Sequence, residues 1–436
     1  MYISANLKYI FVKGFNVTSE SRRDFIKYVA SGVVGLIVGL GAGYSIAPRG
    51  VETVTTTVPT EKTVTTTITV PERKKLKAGW IYVGPIGDYG WTHAHDQGRK
   101  YCEKKYPWLE TTFAESVSEA DVGRFIDRMI TEEKCDLVFT TSFGFMDATV
   151  EAGNKYPNKL FFHCSGFKRS RNVGTYFAEF YQLYYLNGLM AGALTKTNKV
   201  GYVAAYDIPE VIRHINAFSI GVKEVNPKAT VDVRWLFSWF DPTKAREAAE
   251  SLIAAGCDVL AFTEDSPTVI QVGEEYTTRG KPIYTFSHYS PMQRFGPNSC
   301  VSGQLVHWEI IYEDILVKAY LGALPSSLEK FDIWWMLKEG AVELGGEFGV
   351  PVNPKFESEL KKVRVKDKIL GELSVYDLVM ERLKQMSEEN VLFDPFTGPI
   401  YDQNGKLRIE DGRRASHDEL WNMYWFVDNV IGKLPK

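Results

Sequence analysis

Residues 77–84, KAGWIYVG, form a short run of small and apolar residues, closed by the loop PIGDYG (85–90) and followed by a helix-like stretch from His93 to Tyr106. A continuous apolar run of this length between turn signals reads as a buried strand. The same unit recurs down the chain. DLVFT (136–140) precedes a helix over 145–155, and LFFHC (160–164) is a further strand. KVGYVAA (199–205) precedes a helix over 208–225, VDVRWLF (231–237) a helix over 243–255, and DVLAF (258–262) follows. Strands alternating with helices at these spacings call for parallel sheets covered on both faces. There are too many strands for one small sheet, and KVGYVAA starts a second. The fold class is therefore α/β, with two doubly wound parallel-sheet lobes joined by a hinge. Ligands bind such sheets beyond the carboxyl ends of the strands, so the loops after the strands are where a site should lie.

Composition sets outer limits on function. The chain has 436 residues, 51 of them basic and 54 acidic, for a formal net charge of −3. That balance gives no support to a nucleic-acid binder, which needs a concentrated basic surface. Five cysteines stand far apart with no CxxC or Cys/His cluster, so neither a zinc site nor a dense disulfide framework is indicated, and they read as buried small hydrophobes. His93 and His95 are two residues apart on a helix and face different directions, a poor metal pair. No P-loop, GxSxG, HExxH or early GxGxxG occurs, so the motifs give no enzyme and call for no cofactor.

The first fifty residues read as an address. Ser21-Arg22-Arg23-Asp24-Phe25-Ile26-Lys27 precedes an uncharged stretch from Tyr28 to Ala47. Paired arginines, a Phe, a Lys and a Gly-rich apolar run resemble a twin-arginine signal, and about 20 apolar residues can also span a bilayer. With no Cys nearby for lipid attachment and no clean cleavage site, the reading is export with the helix kept as a membrane anchor, placing the body on the outer face of the cytoplasmic membrane. Residues 51–75 contain two copies of one threonine-rich unit, VTTTVPTEKT and VTTTITVPER. Nothing large is available to bury, and Pro59 and Pro71 are expected to interrupt strand pairing, which predicts an extended stalk.

The loops after the strands carry a family resemblance. They read Asp88-Tyr89-Gly90-Trp91-Thr92, Ser142-Phe143-Gly144-Phe145, Pro209-Glu210-Val211-Ile212-Arg213, Trp239-Phe240-Asp241-Pro242 and Glu264-Asp265-Ser266-Pro267. In this order they resemble the basic membrane protein (BMP/Med) family of ABC-transporter solute-binding proteins, from about Lys77 to about Lys433. The resemblance includes FTGPIYDQNGKLRIEDG (396–412) and a terminal helix expected around Trp421 to Val430. It implies a type I periplasmic-binding fold and a monomer that takes a purine nucleobase or nucleoside between its lobes and delivers it to permease and ATPase subunits. The expected organisation is signal and anchor at 1–50, linker at 51–75, first lobe at 76–198 with 304–330, second lobe at 199–303, and a C-terminal segment, 331–436, packing across the lobes.

Carried over residue by residue, the family's Asp-x-Ser-Phe-Asn pattern falls on Asp88 to Thr92. Its aromatic member stacks on the base, which makes Trp91 a wall of the site, with a core tryptophan as the alternative. Asp88 either accepts from ring N–H groups or caps the following helix. Trp239 and Asp265 are the preferred contacts from the second lobe, and Asp241 before Pro242 is a contact or an N-cap. Phe143 and Phe180 supply an opposing aromatic wall or plain core, and Arg213 is a cleft cation or a solvated helix charge. Two departures stand out. His288 follows Tyr284-Thr285-Phe286-Ser287 where nucleoside binders of the family carry an acid, and Gln304 to Trp308 lacks their sugar-directed lysine. Both changes tilt the expected ligand toward a bare, adenine-like base, with His288 among its contacts. The rival classes are a nucleoside hydrolase or phosphorylase and a surface receptor reporting a small ligand to a signalling partner.

Overall fold

The computed structural model describes residues 53–56, 64–67 and 75–435. The chain separates into two units, residues 1–74 and 75–436. In the first, Thr53–Thr56 and Val64–Thr67 pair antiparallel, Thr53 opposite Thr67 and Thr56 opposite Val64. The expected interruption by proline does not occur there. Neither paired segment contains a proline, and their β-branched residues favour extended backbone. The signal and anchor, residues 1–50, lie outside the described residues. Among those described, no helix is long and apolar enough to cross a membrane.

The body begins with β1 (Leu76–Ile81), α1 (Trp91–Lys105), β2 (Leu109–Ala114), α2 (Val122–Thr131), β3 (Leu137–Thr140), α3 (Met146–Lys155), β4 (Leu160–Cys164) and β5 (Val173–Ala178). Helix α4 (Tyr181–Leu194) then leads to β6 (Lys199–Ala204), α5 (Pro209–Val225), β7 (Thr230–Trp235), α6 (Pro242–Ala254), β8 (Val259–Phe262), α7 (Thr268–Thr278), β9 (Tyr284–Tyr289) and β10 (Cys300–Val306). After α8 (Trp308–Leu321) come β11 (Asp332–Trp335), β12 (Val342–Leu344) and, near the end, β13 (Val430–Ile431). The first sheet runs β11-β5-β4-β3-β1-β2, all parallel. The second runs β12-β10-β9-β8-β6-β7-β13, parallel except for the antiparallel edge strand β12. Within each lobe the first five strands take the doubly wound order 2-1-3-4-5, so each lobe has its topological switch point between its first and third strands.

Side chains alternate across these strands, and the alternation sorts the core into layers. Leu137 and Phe139 of β3 enter the large central cluster, whereas Val138 packs with Ile126, Met129 and Phe161 on the outer face of the first lobe. In β8, Val259 and Ala261 face the central cluster while Leu260 and Phe262 join Leu252, Val269 and Ile283 outside. Helix α4 is buried along its whole length, which is why it shows no amphipathic period. All five cysteines are buried free thiols.

Two boundaries differ from expectation. Gln304 to Val306 complete β10 in the second sheet, so the chain returns to the first lobe after Val306 and not after residue 303. Residues 331–436 contribute β11 to the first sheet and β12 and β13 to the second. The terminal helix spans only His417–Trp421, held by a capping box of Ser416 and Glu419, and Val430–Ile431 is a strand beside β7.

Candidate ligand-binding cleft

The carboxyl ends of the strands from the two lobes converge on a small, tightly closed cleft. Its first-lobe lining is Val83 after β1, Trp91 at the start of α1, Ser142 and Phe143 after β3, and Ser165 after β4. The second lobe supplies Glu210 in the first turn of α5, Trp239 after β7, Asp265 after β8 and Tyr289 at the end of β9. Tyr89, Ser165 and Tyr289 beside it hold left-handed backbone at φ of 61°, 65° and 63°. Such conformations in non-glycine residues concentrate where a ligand or a moving part dictates the chain path.

Trp91 is placed by the local chemistry of its turn. The Asp88 carboxylate accepts from the backbone N–H of Gly90 (2.8 Å), Thr92 (3.0 Å) and His93 (2.9 Å), so it caps α1. The Trp91 indole N–H donates to the Thr141 carbonyl at 2.6 Å, and its ring meets Tyr289 edge-on at 4.9 Å and Trp308 at 5.3 Å. It is only 6% exposed, so it is cavity wall and core at once. On the second lobe Trp239 packs against Tyr206 at 5.0 Å.

The acids of the cleft differ in how they are satisfied. Glu210 is buried, accepts a hydrogen bond from the Ser165 hydroxyl across the lobes, and stands 3.5 Å from the Tyr289 hydroxyl; burial pushes its carboxyl up to about 7. Burial raises Glu264 to about 8 although the Ser266 N–H and hydroxyl both donate to it at 2.9 Å. Asp88, raised by burial to about 6, is held from rising further by its three backbone donors. Asp265 is pushed well above the usual carboxylate range by burial and then by the Asp88 and Glu264 charges. Its Oδ1 is buried without a hydrogen-bond partner, as is the Ser142 hydroxyl. Buried polar atoms are normally paired, so these two mark where a ligand's polar edge belongs.

Of the ten residues singled out in the sequence, Trp91, Phe143, Trp239 and Asp265 line this cavity. The other six do not. Asp88 is a cap, and Thr92 is buried with its hydroxyl accepting from the Gly84 N–H at 3.2 Å. Asp241 caps α6, accepting from the Lys244 N–H at 3.0 Å. Phe180 packs behind Tyr289 at 4.9 Å and beside Phe177 and His214. Arg213 is neither a cleft cation nor a solvated charge: it is fully buried, donates to Glu179 at 2.5 Å and to the Leu420 carbonyl at 2.8 Å, and lies over Trp334 and Trp421. Burial works to raise Glu179, but the Arg213 charge and the His214 hydrogen bond outweigh it and hold the carboxyl at about 2. His288 points into the core, its Nδ1 2.8 Å from the Tyr184 hydroxyl, and the cavity-facing residue of that strand is Tyr289. Val83, Ser142, Ser165, Glu210 and Tyr289 were not singled out. Ser165 follows its strand directly, and Ser142 and Glu210 stood within motifs already quoted, so position after a strand was the available signal. Among the described residues no group of His, Cys, Asp and Glu could hold a metal ion.

Comparison with known proteins bears on this geometry. Residues 75–378 match the Bmp family, described as ABC transporter substrate-binding protein PnrA-like. A purine-binding protein of Brucella abortus is 37% identical over 365 residues, 83% of this chain and 95% of that protein. A Haloferax volcanii protein described as a putative ABC transporter glucose-binding protein is 35% identical over 289 residues, 66% of this chain and 71% of the relative. Among solved structures, a solute-binding protein of an Aeropyrum pernix K1 ABC transporter system superposes with a TM-score of 0.56 at 16% identity, over 72% of this chain and 88% of that one. A transcriptional activator of the comK gene from Bacillus halodurans gives 0.55 at 20% identity, over 72% and 98%. At such identities the structures speak for the fold alone, a two-lobed binding fold carrying one cleft between its sheets. With the family match spanning most of the body, the chain belongs to the Bmp family of ABC-transporter substrate-binding proteins, which bind a small molecule outside the cytoplasm and work with permease and ATPase subunits, and which are not enzymes.

Proposed function

We propose that the ligand is a purine base, adenine-like, held between the lobes and handed to a permease. The observation that carries this reading is the unpartnered, buried Asp265 Oδ1 in a cavity walled by Trp91, Phe143, Trp239 and Tyr289. Flat aromatic walls suit a planar ring, and a carboxylate oxygen seeks an N–H donor. No Lys or Arg lines the cavity, so a phosphate group has no counter-charge and nucleotides are disfavoured. The Brucella abortus relative, aligned over nearly its whole length, is itself described as purine-binding. On this reading Arg22-Arg23 and the apolar run after them export the chain and anchor it outside the membrane.

A sugar is the second reading, because the Haloferax volcanii relative is described as a putative glucose-binding protein and carboxylates beside aromatic rings also suit hydroxyl-bearing rings. Calorimetric titration of the body, residues 75–436, with adenine, adenosine and D-glucose separates the readings. Adenine should bind most tightly. Heat from glucose alone would replace the purine by a sugar, and adenosine binding better than adenine would restore the nucleoside. Mass spectrometry of any small molecule released from protein purified without refolding gives an independent answer.

A further inference from the structure

The two lobes meet at one point beside the cavity with unusual closeness. Gly90, the N-cap of α1 in the first lobe, has the backbone of Asp265 from the second lobe laid against it. A Cβ at position 90 would stand 2.5 Å from the Asp265 carbonyl oxygen and 2.7 Å from its Cα, closer than real Cβ atoms come to backbone. Asp265 thus sits against the N-cap of a 15-residue helix that belongs to the other lobe. Ser290 of the second lobe donates its hydroxyl to the Gly90 carbonyl at 3.1 Å. The seam continues outward, where Tyr89 meets Phe295 at 5.2 Å and the Arg294 guanidinium lies 4.9 Å over the Tyr89 ring.

We propose that Asp265 is the residue that couples ligand binding to lobe closure: its backbone docks on Gly90 across the cleft while its unpartnered Oδ1 takes a donor from the ligand, and Gly90 is the seat that permits this approach. The inference rests on the reading that this cavity is the ligand site. A ligand donor bound at Oδ1 orders the same residue whose backbone latches the lobes, and the latched lobes in turn close the aromatic walls on the ligand. Ser290 belongs to the latch and not to the cavity lining, which gives the proposal a prediction that a simple contact list does not make.

The test uses Gly90→Ala and Ser290→Ala in residues 75–436, with thermal melts as a folding control, calorimetry with adenine and with D-glucose, and small-angle scattering with each probe. Gly90→Ala should bind the ligand at least tenfold more weakly and keep a larger radius at saturation than the unsubstituted protein. Ser290→Ala loses one hydrogen bond and should weaken binding about two- to tenfold while its melt stays close to that of the parent. If Gly90→Ala fails to fold, the Ser290→Ala affinity decides. Wild-type affinity and wild-type compaction in the variants overturn the latch. If glucose binds in place of adenine and the variants weaken it, the purine reading falls and the latch stands. Binding of neither probe overturns both.

Discussion

The two lobes share one strand order yet bring different chemistry to the cleft. The first lobe presents Trp91, Phe143 and two serine hydroxyls, and Asp88, in the loop before Trp91, spends its oxygens on the backbone N–H groups of Gly90, Thr92 and His93. The second presents two carboxyl groups, Glu210 and Asp265, beside Trp239 and Tyr289, and leaves an oxygen of Asp265 unpaired. An acid that caps a helix is already satisfied and has little to offer a ligand; an acid buried with a free lone pair is costly until something donates to it. On that ground the first lobe supplies the stacking wall and the second reads the polar edge.

The strongest challenge to this division is Trp91→Ala. The ring is wall and core together, so the variant should lose roughly 3–5 kcal/mol of stability by cavity formation. It should also lose roughly 1–3 kcal/mol of binding through stacking, about tenfold to a hundredfold in Kd. Trp91→Phe should recover part of the affinity but leaves the Thr141 carbonyl without its indole donor. Early melting with normal adenine binding would remove the first lobe's wall from the site.

Next in size is the contrast of Asp265→Asn with Asp88→Asn. Leaving a buried hydrogen-bonding group without its partner costs about 1–3 kcal/mol, so Asp265→Asn should weaken adenine binding roughly fivefold to a hundredfold. Asp88→Asn should leave Kd alone and reduce stability by about 1 kcal/mol, because one amide oxygen cannot replace the two that accept from Gly90, Thr92 and His93. Reversed outcomes on calorimetry and melting would exchange the roles of the lobes.

The second lobe's acids also predict a pH profile. Glu210 and Glu264 stand at about 7 and 8 when folded, against 4.5 in the unfolded chain, mainly because burial disfavours their charge. The unfolded state therefore ionises first as pH rises, and the stability these neutral carboxyls contribute is whole below about pH 4.5 and is lost on the way to pH 7 and 8. The ligand-free body should melt several degrees lower at pH 8 than at pH 5, and Glu210→Gln should narrow that gap. An unchanged gap would mean Glu210 is charged in the folded cleft at neutral pH.

Which of these features the sequence showed follows from their physics. Strands such as Val259–Phe262 are buried on both faces and read as unbroken apolar runs, so the two sheets were visible. Leu109–Ala114 is half exposed and rich in threonine and glutamate, and it passes unnoticed between helices. Helix α4 has no polar face to give it a period. In the site, aromatic residues after strands were legible because position and residue type agree at Trp91, Phe143 and Trp239. Arg213 was not, since its partner Glu179 lies 34 residues away and only the fold buries the two together. The role of Asp88 turned on which N–H groups its oxygens reach, and a sequence does not display that.

The smallest expected effect concerns Asp241, which sits two residues beyond Trp239 and by sequence alone is a contact or an N-cap. Here the side chain accepts from the Lys244 N–H at 3.0 Å, with Pro242 in the first turn of α6 and the Lys244 ammonium 3.3 Å away. That backbone hydrogen bond is the main reason its carboxyl is held below the usual range. Asp241→Ala should therefore cost about 1 kcal/mol of stability, the ordinary worth of an N-cap, and Asp241→Asn less, because Asn caps nearly as well. Adenine affinity should not move in either variant. If Asp241→Ala binds adenine more weakly while melting at the parent temperature, the polar edge read by the second lobe extends past Trp239 to the mouth of the cleft, and Asp265 shares its work with a second acid.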